Sequence, residues 1–110
     1  MTTNQQHILD QLYHVILSRK DASPDSSYTA SLLAKGIDKI LKKLGEEATE
    51  TVIAGKGGTN DELIYESADL CYHLLVLLAA RNVPAEAVWQ ELARRFGTSG
   101  IAEKASRGTP

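Results

Sequence analysis

The 110 residues contain a single cysteine, Cys71, which excludes an internal disulfide and any multi-cysteine metal cluster and fits a reducing compartment. Its setting, Asp69-Leu70-Cys71-Tyr72-His73-Leu74, marks it as a small core hydrophobe rather than a reactive thiol. Charge of one sign is not in excess. Twelve Lys and Arg against fourteen Asp and Glu leave a net charge of −2, so nothing at bulk scale draws the chain toward nucleic acid or an anionic membrane. An anionic substrate must therefore be captured by local charge, by a metal, or by both. The longest apolar run, Leu74 to Ala80, is far shorter than the ~20 residues that span a bilayer. Met1 to Gln6 is polar and lacks an apolar signal core. A cytoplasmic protein with no membrane and no nucleic-acid partner is expected. Period-two alternation, internal repeats and low-complexity tracts are all missing as well, which argues against a sheet.

What is present is helical spacing. Ile8, Leu9, Leu12, Val15 and Ile16 form one stripe, and the turn formers Asp21-Ala22-Ser23-Pro24-Asp25 end it. Ser26 or Ser27 can cap a short helix from Tyr28 to Lys35. After a bend at Gly36, the residues Ile37, Ile40, Leu41, Leu44, Ala48 and Val52 form the stripe of a long third helix. Gly55, Gly57 and Gly58 close that helix, and Thr59 or Asn60 can cap the next. The fourth helix, about Asp61 to Arg81, is apolar nearly all round, which belongs at the centre of a bundle. Pro84 opens a fifth through Val88, Trp89, Leu92 and Phe96. The fold class is thus all-α, one domain over 1–110 with about five helices, and residues 97–110 form a loop-like or mobile tail. The fourth helix is more apolar than one short chain can cover, so a second subunit is expected to complete the bundle.

Two acidic patterns stand out: Glu46-Glu47-Ala48-Thr49-Glu50 on helix three and Glu66-Ser67-Ala68-Asp69 on helix four. Residues three apart share a helix face with Cβ atoms about 5–6 Å apart, so Glu47 with Glu50, and Glu66 with Asp69, make two carboxylate pairs. Unpaired buried carboxylates cost several kcal/mol each, and four oxygen ligands with water suit a hard divalent ion, Mg²⁺ or Mn²⁺. Against this, Glu46, Glu47 and Glu50 can be a solvated face paired with Lys42 and Lys43, and Glu66 and Asp69 can pair with Lys39 or Arg81. A di-iron site is disfavoured, because it needs Glu-x-x-His pairs and Asp69 stands where the His would be. His73, one turn on, is expected in the core or at an interface.

The pattern Glu46-Glu47-x-x-Glu50, fifteen residues, Glu66-x-x-Asp69 resembles the signature of the all-α nucleoside-triphosphate pyrophosphohydrolase (MazG-like) superfamily. The segments 27–32, 42–50, 66–70 with 72–74, and 95–100 with Glu103-Lys104 resemble one branch, the phosphoribosyl-ATP pyrophosphohydrolases of histidine biosynthesis, with Cys71 standing where Leu is expected. The resemblance implies Mg²⁺-dependent hydrolysis of phosphoribosyl-ATP to phosphoribosyl-AMP and pyrophosphate by a homo-oligomer, with a dimer expected. It places the metal on Glu47, Glu50, Glu66 and Asp69. The catalytic candidates are Lys43 and either Glu46 or Glu47 as base, with no choice between the two acids. Lys39, Lys42, Arg94, Arg95 and Lys104 are the expected substrate-binding cations, joined by Arg107 in the tail. Since the superfamily shares the acid cage, selection of the ribose 5-phosphate falls to Ser27, Tyr28, Thr29 and the basic tail. Gly45, inside helix three, leaves room for a neighbouring helix or the ligand, or is simply tolerated. Two other readings use the same residues: a housecleaning hydrolase of free nucleoside triphosphates, and a non-enzymatic helical interaction module.

Overall fold

The computed structural model describes residues 8–96. Its α-helices are α1 (Ile8–Ser18), α2 (Tyr28–Lys35), α3 (Ile37–Gly57), α4 (Asn60–Ala80) and α5 (Ala85–Arg95), with a 3₁₀ turn at Pro24–Ser26. No strand occurs among the described residues, so the expected all-α class with five helices holds.

Each boundary has a local cause. The Ser27 hydroxyl accepts from the amide of Ala30 at 3.0 Å and starts α2. Gly36 takes φ 97°, a left-handed value that lets α2 end and α3 begin with no intervening loop. At the next junction Thr59 and Glu62 form a capping box, in which each side chain accepts from the other's backbone amide at 3.1 and 2.7 Å. Gly58 precedes it because a Cβ there would lie 2.8 Å from Glu62 Oε1 and 3.0 Å from the Ala54 carbonyl. The C-terminus of α4 is closed by Lys20, whose ammonium donates to the Ala79 carbonyl at 2.9 Å and to Asn82 Oδ1 at 2.7 Å. A cation there also complements the negative end of the helix dipole.

The core is Tyr13, Ile16, Leu32, Ile40, Leu75, Val76, Ala79 and Ala85, gathered around the C-terminal half of α4. Tyr13, outside the expected stripe of α1, joins it by donating its hydroxyl to the Val83 carbonyl at 2.6 Å, whereas Ile8 and Val15 from that stripe are exposed. The main packing is α3 against α4, with α1 and α5 on the far end of α4. The buried line of α3 runs Ile40, Glu47, Ala54, a seven-residue repeat that keeps one narrow face toward the partner helix. Leu41 and Val52, assigned to the buried stripe from sequence, therefore lie outside it and are exposed.

Helix α4 departs most from expectation. Its buried residues are His73, Leu75, Val76 and Ala79, while Ile64, Tyr65 and Leu74 are exposed. Cys71, expected in the core, is exposed too, because it sits roughly opposite His73 on the helical wheel. The described residues hold too few elements to wrap both faces of α4. By length and composition alone this helix also passes as a membrane span, with a mean hydropathy of 1.4. That average runs across Glu66 and Asp69, two acids that hydrocarbon would penalise.

Gly45 sits in the middle of α3, and a Cβ built there meets nothing within 4 Å. Gly45→Ala is expected to raise stability in urea unfolding by about 0.5–1 kcal/mol, the usual penalty of an interior helical glycine. A loss instead would mean that another molecule packs against this position.

Candidate metal centre

The acids converge because polar residues replace apolar ones along the α3–α4 seam. Glu47 occupies the middle of the Ile40–Ala54 line and is 6% exposed. Across from it, Glu66 and Asp69 are half-buried on α4. Thr51 holds the helices together at this level. Its hydroxyl donates to the Glu47 carbonyl at 2.8 Å and lies 3.2 Å from the Glu66 carbonyl on the opposite helix.

The geometry brings together all four expected ligands through Glu47. Single oxygens of Glu47, Glu50 and Glu66 lie within 4.8 Å of one another, and ligand atoms of Glu47, Asp69 and His73 do likewise. Oε1 of Glu47 and Oε1 of Glu66 are buried and have no hydrogen-bond partner. A buried acceptor left unpaired is rare and costs about 1–3 kcal/mol, more when charged. Neither the Lys39 nor the Arg81 pairing open to Glu66 and Asp69 forms among the described residues. Two orphaned oxygens, all-oxygen donors and a flexible shell are what a hard divalent cation requires, so the residues present fit such an ion.

The electrostatics agree. Burial pushes the Glu47 carboxyl up to about 7, helped by a hydrogen bond to Asp69 and by the charges of Asp69, Glu50 and Glu66. Glu66 is raised as well, first by desolvation and then by the Glu50 charge. Each group resists ionising because like charges crowd it in a poorly solvated seam, and a cation would reverse both effects.

Glu46 lies outside the buried line of α3. It is exposed and lies 3.4 Å from the Lys43 ammonium, which is also 3.9 Å from Glu47 Oε2. Desolvation pulls the Lys43 pKa down, but the hydrogen bond to Glu46 and the nearby Tyr28, Glu46 and Glu47 oxygens outweigh it and leave it raised. Lys43 is therefore a firmly charged group at the rim. Lys42 is exposed and Lys39 half-buried; neither pairs with an acid among the described residues. An open groove of about 690 Å³ leads along Ile53 and Ala54 to Glu50 and Glu66, a volume typical of small-ligand sites.

Of the remaining expected cations, Arg94 and Arg95 pair with an acid outside the cage. Arg94 and Arg95 hold Glu91 on their own helix, with nitrogen–oxygen distances of 2.8 to 3.0 Å, and keep its carboxyl well below the usual carboxylate range. Lys104 and Arg107 lie outside the described residues. In the α2 opening, the Ser27 hydroxyl is spent on its cap, Thr29 is bonded to Tyr72, and Tyr28 to His73. Sequence spacing gives Thr51 and Tyr72 no role of their own, since that role needs two helices side by side. His73 carried a signal, being one turn past Asp69.

Glu47 binds its proton more tightly in the folded chain, with a pKa of about 7 against 4.5, so its contribution to stability is full below about 4.5 and fades as pH rises through about 7. Thermal unfolding of protein stripped of divalent ions is expected to show Tm falling across that window. Glu47→Gln should flatten the profile, and Mg²⁺ should restore the loss at the alkaline end. A profile identical in the wild type and the variant would place the titration elsewhere.

Comparison with known proteins agrees with the residues. The family described as phosphoribosyl-ATP pyrophosphohydrolase matches residues 9–96. The chain is 80% identical over 104 residues to the phosphoribosyl-ATP pyrophosphatase of Trichlorobacter lovleyi, covering 94% of this chain and 96% of that protein. It is 69% identical over 100 residues to the protein of the same name from Geobacter metallireducens, covering 91% and 92%. With that of Pelobacter propionicus it shares 61% over 107 residues, covering 97% and 99%. The family match runs from α1 to the end of α5 and includes all four acids of the cage, and on these grounds the chain belongs to the phosphoribosyl-ATP pyrophosphohydrolase family.

Proposed function

We propose that this chain hydrolyses the α–β phosphoanhydride of 1-(5-phosphoribosyl)-ATP, giving 1-(5-phosphoribosyl)-AMP and pyrophosphate, an early step of histidine biosynthesis. The observation that carries the reading is the pair of partnerless buried oxygens, Glu47 Oε1 and Glu66 Oε1, within a chain of this family. Glu47, Glu50, Glu66 and Asp69 would hold Mg²⁺, or Mn²⁺ in its place. When bound, such an ion supplies the positive charge that offsets the triphosphate and polarises its phosphoryl oxygens.

The chain's own groups divide the remaining work. Glu47 is inside the seam and Glu46 outside it beside Lys43, which favours Glu47 as ligand and Glu46 as the base that takes a proton from the attacking water. Lys43, charged and at the rim, is placed to bind a phosphate oxygen next to the cage. The groove beside Glu50 and Glu66 has room for the nucleotide. Lys39 and Lys42 extend the positive edge of α3. With the hydroxyls of Ser27 and Thr29 already engaged, contact with the ribose 5-phosphate falls mainly to Lys104 and Arg107, or to Arg94 and Arg95 once they release Glu91. The whole chain acts as one domain in the cytoplasm.

A homodimer is part of the same proposal. Ile64, Cys71 and Leu74 line one uncovered side of α4, and an apolar helix face of this kind is ordinarily buried. A second copy would cover it.

Glu66→Gln and Asp69→Asn are expected to lower phosphoribosyl-ATP hydrolysis at least about 100-fold, the scale on which pre-organised transition-state electrostatics act. Circular dichroism should show an unchanged helical fold, with metal-free stability equal or higher because like-charge repulsion is relieved. Normal turnover in both variants would rule out the four-acid cage. For assembly, Ile64→Asp alters a side chain that is 65% exposed in the single chain and should leave the helices folded. Sedimentation is expected to show it as a monomer where the wild type is a dimer. A variant that remains fully dimeric would exclude that face of α4 from the contact.

A further inference from the structure

His73 is 2% exposed, one turn beyond Asp69, and both of its ring nitrogens are engaged. Nδ1 lies 2.8 Å from the Asp69 backbone carbonyl and 3.4 Å from Asp69 Oδ1. A carbonyl only accepts, so Nδ1 carries the proton and shares it between the carbonyl and the carboxylate of the same residue. In the neutral ring Nε2 is then an acceptor, and the Tyr28 hydroxyl donates to it at 3.1 Å. The imidazole is held edge-on to Tyr28 and Tyr72, with interplanar angles of 77° and 88°. Tyr72 is in turn bonded to Thr29. The first turn of α2 is thereby tied to α4 at two neighbouring points, both directly behind Asp69.

This arrangement explains why His73 sits among the possible ligand atoms with Glu47 and Asp69 yet has no free nitrogen to offer a metal. We propose that Tyr28 and His73 are positioning residues: the Tyr28 hydroxyl fixes the His73 tautomer, and the Nδ1–H holds the Asp69 carboxylate in the rotamer that faces Glu47. The inference rests on the reading of the acid cage as a divalent-cation site. It assigns the α2 opening a part in metal binding through Asp69, instead of direct contact with the substrate. Groups that orient a ligand from behind typically contribute 10–100-fold to metal affinity.

Two substitutions at one position separate positioning from packing. Asn places its amide nitrogen near the Nδ1 position and keeps a donor toward Asp69. Gln places its amide near Nε2 and keeps only the Tyr28 side. Mn²⁺ binding to the full-length chain, followed by electron paramagnetic resonance without substrate, is expected to weaken about 10–100-fold in His73→Gln and to recover within about threefold of wild type in His73→Asn. Tyr28→Phe keeps the ring contacts, loses the donor, and is expected to weaken Mn²⁺ about tenfold with Tm nearly unchanged. Equal affinity in His73→Gln and wild type, or equal weakening in Gln and Asn, overturns the proposal. If both His73 variants unfold, Tyr28→Phe decides alone, and unaltered Mn²⁺ affinity there overturns it. Failure of the wild type itself to bind Mn²⁺ removes the cage reading and this inference together, whereas normal wild-type binding with indifferent variants removes only the inference.

Discussion

Like-charge repulsion in the α3–α4 seam is the constraint around which the rest of this protein is arranged. A seven-residue buried line that would ordinarily be apolar carries a glutamate at its centre, and two more acids meet it from α4. In a seam of low polarity, repulsion and desolvation act in the same direction, so the folded chain favours any cation that can enter. The apolar core is displaced to the far end of α4, where α1, α2 and α5 converge. Fold stability and chemistry are thus separated along one helix: its C-terminal half anchors the bundle, and its N-terminal half presents charge.

That division has a consequence for α2. A helix of eight residues would not stand alone in water, and α2 is held by burying Ala30 and Leu32. Its first turn also reaches across to Tyr72 and His73 of α4. Ser27 secures the turn, Thr29 and Tyr28 make the cross-helix bonds, and Asp69 receives the result. The same logic accounts for Thr51, whose one hydroxyl lies between the carbonyls of both acid-bearing helices. Small hydroxyls set the spacing of the seam, and the carboxylates then face one another across it.

The exposed side of α4 is the counterpart of the crowded side. A helix with acids on one stripe and Ile64, Cys71 and Leu74 on another has two faces to satisfy and, among the described residues, one neighbouring long helix. The placement of Cys71 on the uncovered face follows from the wheel position that puts His73 inward. Burial of one fixes exposure of the other until a further surface arrives.

Much of this was legible in the residues. Ser27, Gly36, Thr59 and Pro84 mark helix boundaries through local hydrogen bonds and dihedral preferences, which depend on neighbours in sequence. The three-residue spacing of Glu47–Glu50 and Glu66–Asp69 puts each pair on one helix face whatever surrounds it. Other features were not legible, because they depend on how one helix is rotated against another. Sequence spacing left the base open between Glu46 and Glu47, and only the packing buries Glu47 in the seam and leaves Glu46 exposed beside Lys43. It marked Arg94 and Arg95 as candidate phosphate ligands, but the last turn of α5 gives them to Glu91. The contacts Tyr28–His73 and Thr29–Tyr72 join residues more than forty positions apart. The sequence by itself determined which residues are helical and which acids are paired. The tertiary structure decided which acid is buried and what stands behind it, since desolvation and cross-helix hydrogen bonds exist only once two helices share a seam.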